Sequence, residues 1–469
     1  MPRSPLLGAA FTMAGQVSAR LIALVFYAVL ARALGPQLYG DQGFGVAVGT
    51  LFVSLVEPGL NQLLVRDGAR SREVLLARLS EHLAFKLWML LLAWPLAVGA
   101  ALALGYRGTA LTAVLLAGGF VLVGALEDLA AAVLTAVERL DLEGLLRTLS
   151  KVCVAGLGLT AILAEGSFAW VLGAMCVGAA VAGGVGLALV VRAGVEVRLH
   201  ASPLPALRQV RAEWPVALSV VLWLLTLRMD QLVVSLLGVG HDQLGHYNAA
   251  VKIVEALLLF PNAVCLAFQP VIARSWTRGT QACTEDLRRA VLASLCITLP
   301  VAVGGAVVAE PLTALVYGER FAGTAVLLRV QLMALPLVGL QFLGNHTLVA
   351  AGAVRLQATC IGVNLLVNVA FNLLLVPRYG VVGSSAAALA GGLAAVVAFS
   401  VALRSVGLRA GILGGGWRPL LGCLAMVGVL EGVPLPFAAQ VVVGGVTYGA
   451  VLLAVGGGVA WRALRDARR

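Results

Sequence analysis

Charge is what this sequence has least of. Asp and Glu number 22 and Lys and Arg 33 in 469 residues, so charged side chains make up 12% of the chain, where soluble domains carry about 25%. With 61% hydrophobic residues and a mean hydropathy of +0.99, the composition excludes water as the main solvent. Cysteine is also sparse. The seven present are scattered with no C-x-x-C pair and lie mostly in apolar runs, which excludes a disulfide framework and leaves reduced thiols that serve packing.

Signatures of catalysis are missing as well. Neither G-x-x-x-x-G-K-[ST] nor H-E-x-x-H occurs, and no polar stretch is long enough to form a soluble domain. The glycine runs at 414–416 and 456–458 lack a flanking strand and Lys, and such small residues serve close helix contact. No enzyme, metal site or cofactor is expected. Work done by this chain would draw on an ion gradient, on consumption of its product, or on the membrane potential, which offers about 2.3 kcal/mol per charge per 100 mV.

Long hydrophobic runs are what the sequence has instead. A hydrocarbon core is crossed by about 20 apolar residues per helix, because each backbone polar group must be satisfied within its own segment. Roughly fourteen spans fit, near 6–33, 41–63, 82–105, 109–136, 145–164, 168–192, 213–237, 245–272, 288–309, 324–351, 356–376, 381–403, 417–433 and 437–461. The fold class is therefore an all-α polytopic membrane protein. An apolar run continuing to Leu34 is too long for the core of a secretory signal. Trp170, Trp214, Trp276, Trp417 and Trp461 fall near span ends, where indoles sit at headgroup level.

Basic residues set the orientation, since short cytoplasmic loops retain Lys and Arg. Arg66, Arg70, Arg72 and Arg78 follow span two; Arg139, Arg147 and Lys151 follow span four; Arg198, Arg208 and Arg211 follow span six; Arg274, Arg278, Arg288 and Arg289 follow span eight. Arg462, Arg465, Arg468 and Arg469 close the chain, whereas the alternate loops carry few, chiefly Arg107, Arg320 and Arg378. Both termini are expected in the cytoplasm. The net charge of +11 is spread over many short loops, which argues against nucleic acid as a partner.

An internal repeat is visible. Ala33-Leu34-Gly35, then Tyr39-Gly40, then a span ending near Glu57-Pro58 can be laid beside Leu237-Gly238, then Leu244-Gly245, then a span with Pro261-Asn262. The parallel placement implies two bundles of about six spans around a cleft; Leu-Gly and Tyr-Gly are also ordinary turn punctuation. The domain expectation is an N-terminal lobe over 1–205, a C-terminal lobe over 206–410, and two additional spans with a basic tail over 411–469.

These segments carry a resemblance. Ala31-Arg-Ala-Leu-Gly-Pro-Gln-Leu-Tyr-Gly40, Arg228-Met-Asp-Gln231 leading to Gly245-His-Tyr-Asn-Ala-Ala250, and Asn368 to Asn372 followed by Val376-Pro-Arg-Tyr-Gly-Val-Val-Gly383 resemble the polysaccharide flippase branch of the multidrug/oligosaccharidyl-lipid/polysaccharide (MOP) superfamily. The resemblance runs over nearly the whole chain. It implies twelve core helices in two lobes related by pseudo-two-fold symmetry, often with two C-terminal helices added. It also implies alternating access that moves undecaprenyl-pyrophosphate-linked oligosaccharide repeat units across the bacterial inner membrane for cell-surface polysaccharide. The implied partners are that lipid-linked oligosaccharide, membrane lipid, and polysaccharide polymerase with its chain-length machinery. Relatives in the superfamily export drugs or flip the peptidoglycan precursor; the latter's charge pattern is not recognised here.

Ionisable residues at mid-membrane cost about 2.5 to 3.5 kcal/mol, so those retained usually face a cavity or a partner. Arg20, near the middle of span one with Gln16 one turn before it, is too deep to snorkel and is the leading candidate. Arg228, Asp230, Lys252 and Glu255 fall at one depth, about 10 to 15 Å from the outer edge. The first reading is a hydrated cavity in which Arg228 and Lys252 attract an anionic headgroup while Asp230 and Glu255 set their charge state; the alternative is an interhelical ion-pair network. Guanidinium grips pyrophosphate with paired hydrogen bonds. Glu57 before Pro58 suits a gate or an ion-coupling site, or equally a carboxylate at the headgroups. Asn364, Asn368 and Asn372 form a polar stripe on span eleven that could bind sugar hydroxyls and more often would tie helices together. Glu127 and Asp128 are read as structural, and His346 beside Asn345 as packing. A flippase is the leading function. An ion-coupled exporter of cationic amphiphiles, acting through Glu57, Asp230 and Glu255, is the alternative, and a membrane glycosyltransferase is disfavoured by the short outer loops.

Overall fold

A computed structural model describes residues 5–197, 202–408, 417–432 and 436–456. Expectations on Arg198, the 414–416 run, Gly457 and Gly458, Trp461 and the basic tail lie outside the described residues. Within them every regular element is helical. The helices are α1 (Pro5–Val56), α2 (Leu60–Gly68), α3 (Arg72–Ala103), α4 (Gly108–Ala113), α5 (Gly119–Ala136), α6 (Leu140–Leu163), α7 (Phe168–Arg192), α8 (Leu204–Ala212), α9 (Trp214–Leu236), α10 (His241–Leu257), α11 (Leu259–Arg278), α12 (Thr280–Val307), α13 (Ala309–Tyr317), α14 (Thr324–Leu332), α15 (Ala334–Ala350), α16 (Val354–Ser405), α17 (Trp417–Gly432) and α18 (Phe437–Gly456). A π-helical turn over Val114–Gly118 joins α4 to α5.

Eleven described helical segments are long and apolar enough to cross a membrane. Leu91, Leu163, Leu366 and Leu453 are 66 to 74% exposed, a surface that water would not tolerate over so many helices and that lipid covers. The chain is a multi-pass integral membrane protein. Two of its helices are doubled. α1 and α16 each run 52 residues, interrupted by one non-helical residue, Gly35 (φ 73°) and Gly380 (φ 56°). An unbroken helix of that length would be about 78 Å long, far beyond a 30 Å hydrocarbon core; glycine takes the left-handed turn that reverses the chain.

Proline sets several other ends. α10, α12 and α14 each stop four residues before a proline, at Leu257 for Pro261, Val307 for Pro311 and Leu332 for Pro336, where the missing N–H and the ring break the helical ladder. The second predicted span ran on to residue 63, but α1 ends at Val56. Pro58 disfavours helical backbone at Glu57, Gly59 takes φ 86°, and a separate α2 begins. α3 begins at Arg72, ten residues earlier than the predicted span, because Leu75 and Leu79 bury its polar first turns.

Contacts divide the chain into a unit up to Asn248 and one from Ala249. In the first, α5, α6 and α7 pack together around Leu129, Val133, Leu146 and Val190, and α9 packs on α1. In the second, α11 and α12 pack with α15, α15 packs on α16, and α17 with α18 rests on α12, where the Tyr448 hydroxyl donates to the Cys296 carbonyl at 2.7 Å. The 205/206 boundary inferred from the repeat describes sequence symmetry, a different quantity from this division of contacts.

Candidate functional site

The first unit buries a set of charges that helix breaks and helix starts bring together. At the end of α1, Glu57 uses one carboxylate oxygen to accept the Asn61 backbone N–H at 2.7 Å, capping α2, and the other to accept the Lys86 ammonium. Lys86, fully buried on α3, also donates to the Ala125 carbonyl at 3.3 Å. The pair is closed on itself. An ammonium removed from water is tolerable only with such partners.

Next to it lies a cluster on α5 and α6. Arg147 donates through Nη1 to Asp128 at 2.6 Å and to Glu127 at 3.3 Å, and through Nε to Glu143 at 3.3 Å. The Ser150 hydroxyl donates to Glu127 at 2.5 Å. Glu127 and Glu143 are each 6% exposed, while Asp128 is half open. Three carboxylates thus share one guanidinium, with Lys86 and Lys151 within electrostatic reach of Asp128.

A third group joins the second limb of α1 to the start of α10. His241 bonds to Asp41 through Nδ1, Phe44 stacks on Tyr106 at 4.5 Å between ring centroids, and the Tyr106 hydroxyl pairs with that of Ser235 at 2.8 Å. Glycine permits the approach: a Cβ on Gly40 would overlap the His241 carbonyl, one on Gly245 the Pro36 carbonyl, and one on Gly43 the Asn248 amide. The two copies of the repeat therefore touch each other at their matched glycines, Gly40 and Gly245. Their preceding turn glycines match as well, with φ 73° at Gly35 and 75° at Gly238.

Of the predicted residues, Arg20 is half-buried on the first limb of α1, and Arg228 and Asp230 are half-buried on α9. Asp230 accepts the Tyr247 hydroxyl at 2.8 Å. Lys252 and Glu255, one turn apart on α10, form an ion pair at 2.8 Å with side chains 15% and 35% exposed. Arg20, Arg228 and Asp230 belong to the first unit, Lys252 and Glu255 to the second. Glu57 and Pro58 mark the α1–α2 break. Asn364, Asn368 and Asn372 are buried: Asn364 donates to Gln341 at 3.1 Å, Asn372 to the Asn368 carbonyl at 3.0 Å, and Gly391 lies against the Asn364 amide. Among the described residues no cluster of His, Cys, Asp and Glu is arranged to hold a metal ion.

Sequence reading missed Lys86, the Arg147 cluster, and the Asp41–His241 pair. Lys86 was not singled out and Arg147 was counted with the basic residues after span four, whereas α3 and α6 start earlier than their hydrophobic runs and carry both side chains inward. The four-residue spacing of Glu143 and Arg147 was an available signal. So was the position of Asp41 and His241 just after the repeated glycine turns.

Comparison with known proteins follows the same lines. The model of the polysaccharide biosynthesis protein family matches residues 6–276, and that of the MatE family matches residues 215–374. Among solved structures, the lipid II flippase MurJ in an inward closed conformation superposes with a TM-score of 0.77 at 15% identity, covering 98% of this chain and 99% of that one. An inward-facing multidrug resistance MATE transporter of the MOP superfamily gives 0.60 at 14% identity, over 83% and 94%. A MOP superfamily transporter from Pyrococcus furiosus described by the reverse polarity of its binding pocket gives 0.58 at 15%, over 86% and 94%. At these identities the likeness is one of fold. No curated protein sequence matches the chain.

Proposed function

The chain belongs to the polysaccharide biosynthesis protein family of the MOP superfamily, a family of membrane transporters and not of enzymes, and from that premise we propose that it flips undecaprenyl-pyrophosphate-linked oligosaccharide repeat units. The site is the bacterial inner membrane and the mechanism alternating access. The lipid tail stays in the bilayer while pyrophosphate and sugars cross inside the protein.

The observation that carries this reading is a pair of half-buried arginines on spanning helices, Arg20 on α1 and Arg228 on α9. A guanidinium held within a membrane helix costs stability unless it meets a partner, an anion or an aqueous cavity, and its planar fork suits pyrophosphate. The carboxylates that a cation exporter would use are occupied: Glu57 by Lys86, Asp230 by Tyr247 and Glu255 by Lys252. Pyrophosphate binding would bias the two access states by its differential affinity for them. Glu57 and Pro58 form the joint between α1 and α2. The asparagine stripe holds α16 together rather than meeting sugar.

Splitting α1 and α16 at Gly35 and Gly380 and counting the shorter α17 gives fourteen spans among the described residues; we read them as six plus six plus two, and the basic loops favour cytoplasmic termini. The test is translocation of a fluorescent undecaprenyl-pyrophosphate-linked oligosaccharide in proteoliposomes, wild type against Arg20→Ala and Arg228→Ala. The expected result is transport that either substitution abolishes while the protein remains folded. Well-folded wild type that moves no lipid-linked sugar but drives efflux of a cationic dye would replace this reading with the exporter.

A further inference from the structure

Between α7 and α9 the nine-residue α8 lies along the first unit, and its two faces are of different kinds. The inner face is docked. Ala206 is fully buried against Leu60 and Phe85, and Gln209, 8% exposed, bridges two elements by donating to Asp67 of α2 at 3.1 Å and pairing with His82 of α3 at 2.9 Å. Just beyond the helix, Glu213 accepts Arg66 at 2.9 Å. The hydrogen bond to Asp67, and then this one, hold the Arg66 guanidinium above its ordinary value.

The outer face carries Leu204, Leu207, Arg208 and Arg211, spaced i, i+3, i+4 and i+7 and therefore on one stripe. Leu204 and Leu207 are 53% and 50% exposed, and both arginines are exposed. Beyond a non-helical Glu213, Trp214, 51% exposed, opens spanning helix α9. Two leucines, two arginines and an indole, at the point where the chain enters the bilayer, are the composition of a helix lying in the headgroup region. A helix this short is marginal in water, and docking supplies only one of its faces.

We propose that the outer face of α8 is a binding surface for the anionic phospholipids of the membrane that α9 enters. Leu204 and Leu207 sink toward the acyl boundary, Trp214 sits at headgroup level, and Arg208 and Arg211 reach lipid phosphates. This surface is separate from Arg20 and Arg228 and takes bulk lipid, not the transported molecule, so it stands whether or not the flippase reading does.

Amide hydrogen exchange of residues 202–213 in nanodiscs tests it. Wild type in discs containing phosphatidylglycerol should exchange about tenfold more slowly over this segment than in pure phosphatidylcholine, following the attraction of two basic residues to an anionic surface. The turn at 104–107 serves as an internal reference and should not change. Arg208→Gln with Arg211→Gln should erase the difference between the two lipids, and high salt should do the same. Equal exchange in both discs overturns the proposal, as does a difference that survives the double substitution. Inorganic phosphate added to phosphatidylcholine discs should leave exchange unaltered; if it reproduces the slowing, the patch is an anion site and not a membrane contact.

Discussion

Glu57 holds two positively polarised groups at once, the Lys86 ammonium and the first turn of α2, and neither has a ready substitute. Glu57→Gln would keep much of the cap but leave Lys86 charged and buried. The expected loss is about 3 to 5 kcal/mol of stability, measured as thermal unfolding in detergent. Glu57→Gln with Lys86→Met should recover most of it, because an apolar pair of similar volume carries no desolvation penalty; a double variant as unstable as the single would show that the pair does more than neutralise itself. Half of this arrangement could be read from the sequence. Glu57-Pro58 announced a break, since proline constrains both itself and the residue before it. Lys86 was hidden because hydropathy marks where a helix becomes apolar, not where it begins, and α3 begins at Arg72, fourteen residues and about 21 Å upstream. Arg147 was hidden for the same reason. Asn364, Asn368 and Asn372 show the reverse case, a polar stripe obvious in the sequence whose amides donate to Gln341 and within the stripe itself.

At the scale of helices, the contact of α1 with α10 is where repeat and packing coincide. Gly40, Gly43 and Gly245 let two backbones meet as closely as small-residue interfaces in membranes allow, and Asp41 with His241 closes the seam. Gly40→Leu should force the helices apart. The measurement is labelling of a cysteine placed at Asn248, 3% exposed, by a membrane-impermeant maleimide. Asn248→Cys alone should stay unlabelled and the Gly40→Leu combination should react; protection in both would remove this contact as a closure point. The turns were legible because only glycine tolerates their backbone, and Leu-Gly recurs at 34–35 and 237–238. The partnership of the two copies was not. A repeat reveals that two segments are alike, while their facing each other is a tertiary fact.

For the molecule as a whole, fold class followed from composition together with the length of the apolar runs. An apolar surface of this extent has one compatible solvent, and lipid admits helices or closed barrels only. Topology is the level still open to a direct test. With basic loops retained on the cytoplasmic side, a cysteine at Ser167, exposed in the turn between α6 and α7, should react with impermeant maleimide in whole cells. One at Glu138, exposed in the turn between α5 and α6, should react only after permeabilisation. The opposite pattern would invert the orientation. The seven native cysteines, all without disulfides, are removed first.

The π-helical turn at Val114–Gly118 acts as a phase shifter. It accommodates a residue more than an α-helical turn would and leaves the Leu115 carbonyl to the Trp94 indole at 2.9 Å. Closing it to regular α-helical pitch with every residue kept would rotate everything beyond by up to about 100°, whereas deleting one residue as well would leave that facing nearly unchanged. Glu127 and Asp128, on the same continuous rod, would in the first case swing away from Arg147 and Ser150 although nothing near them had been altered. The angular setting of the charge cluster is thus written more than two turns upstream of it, in the width of a single turn.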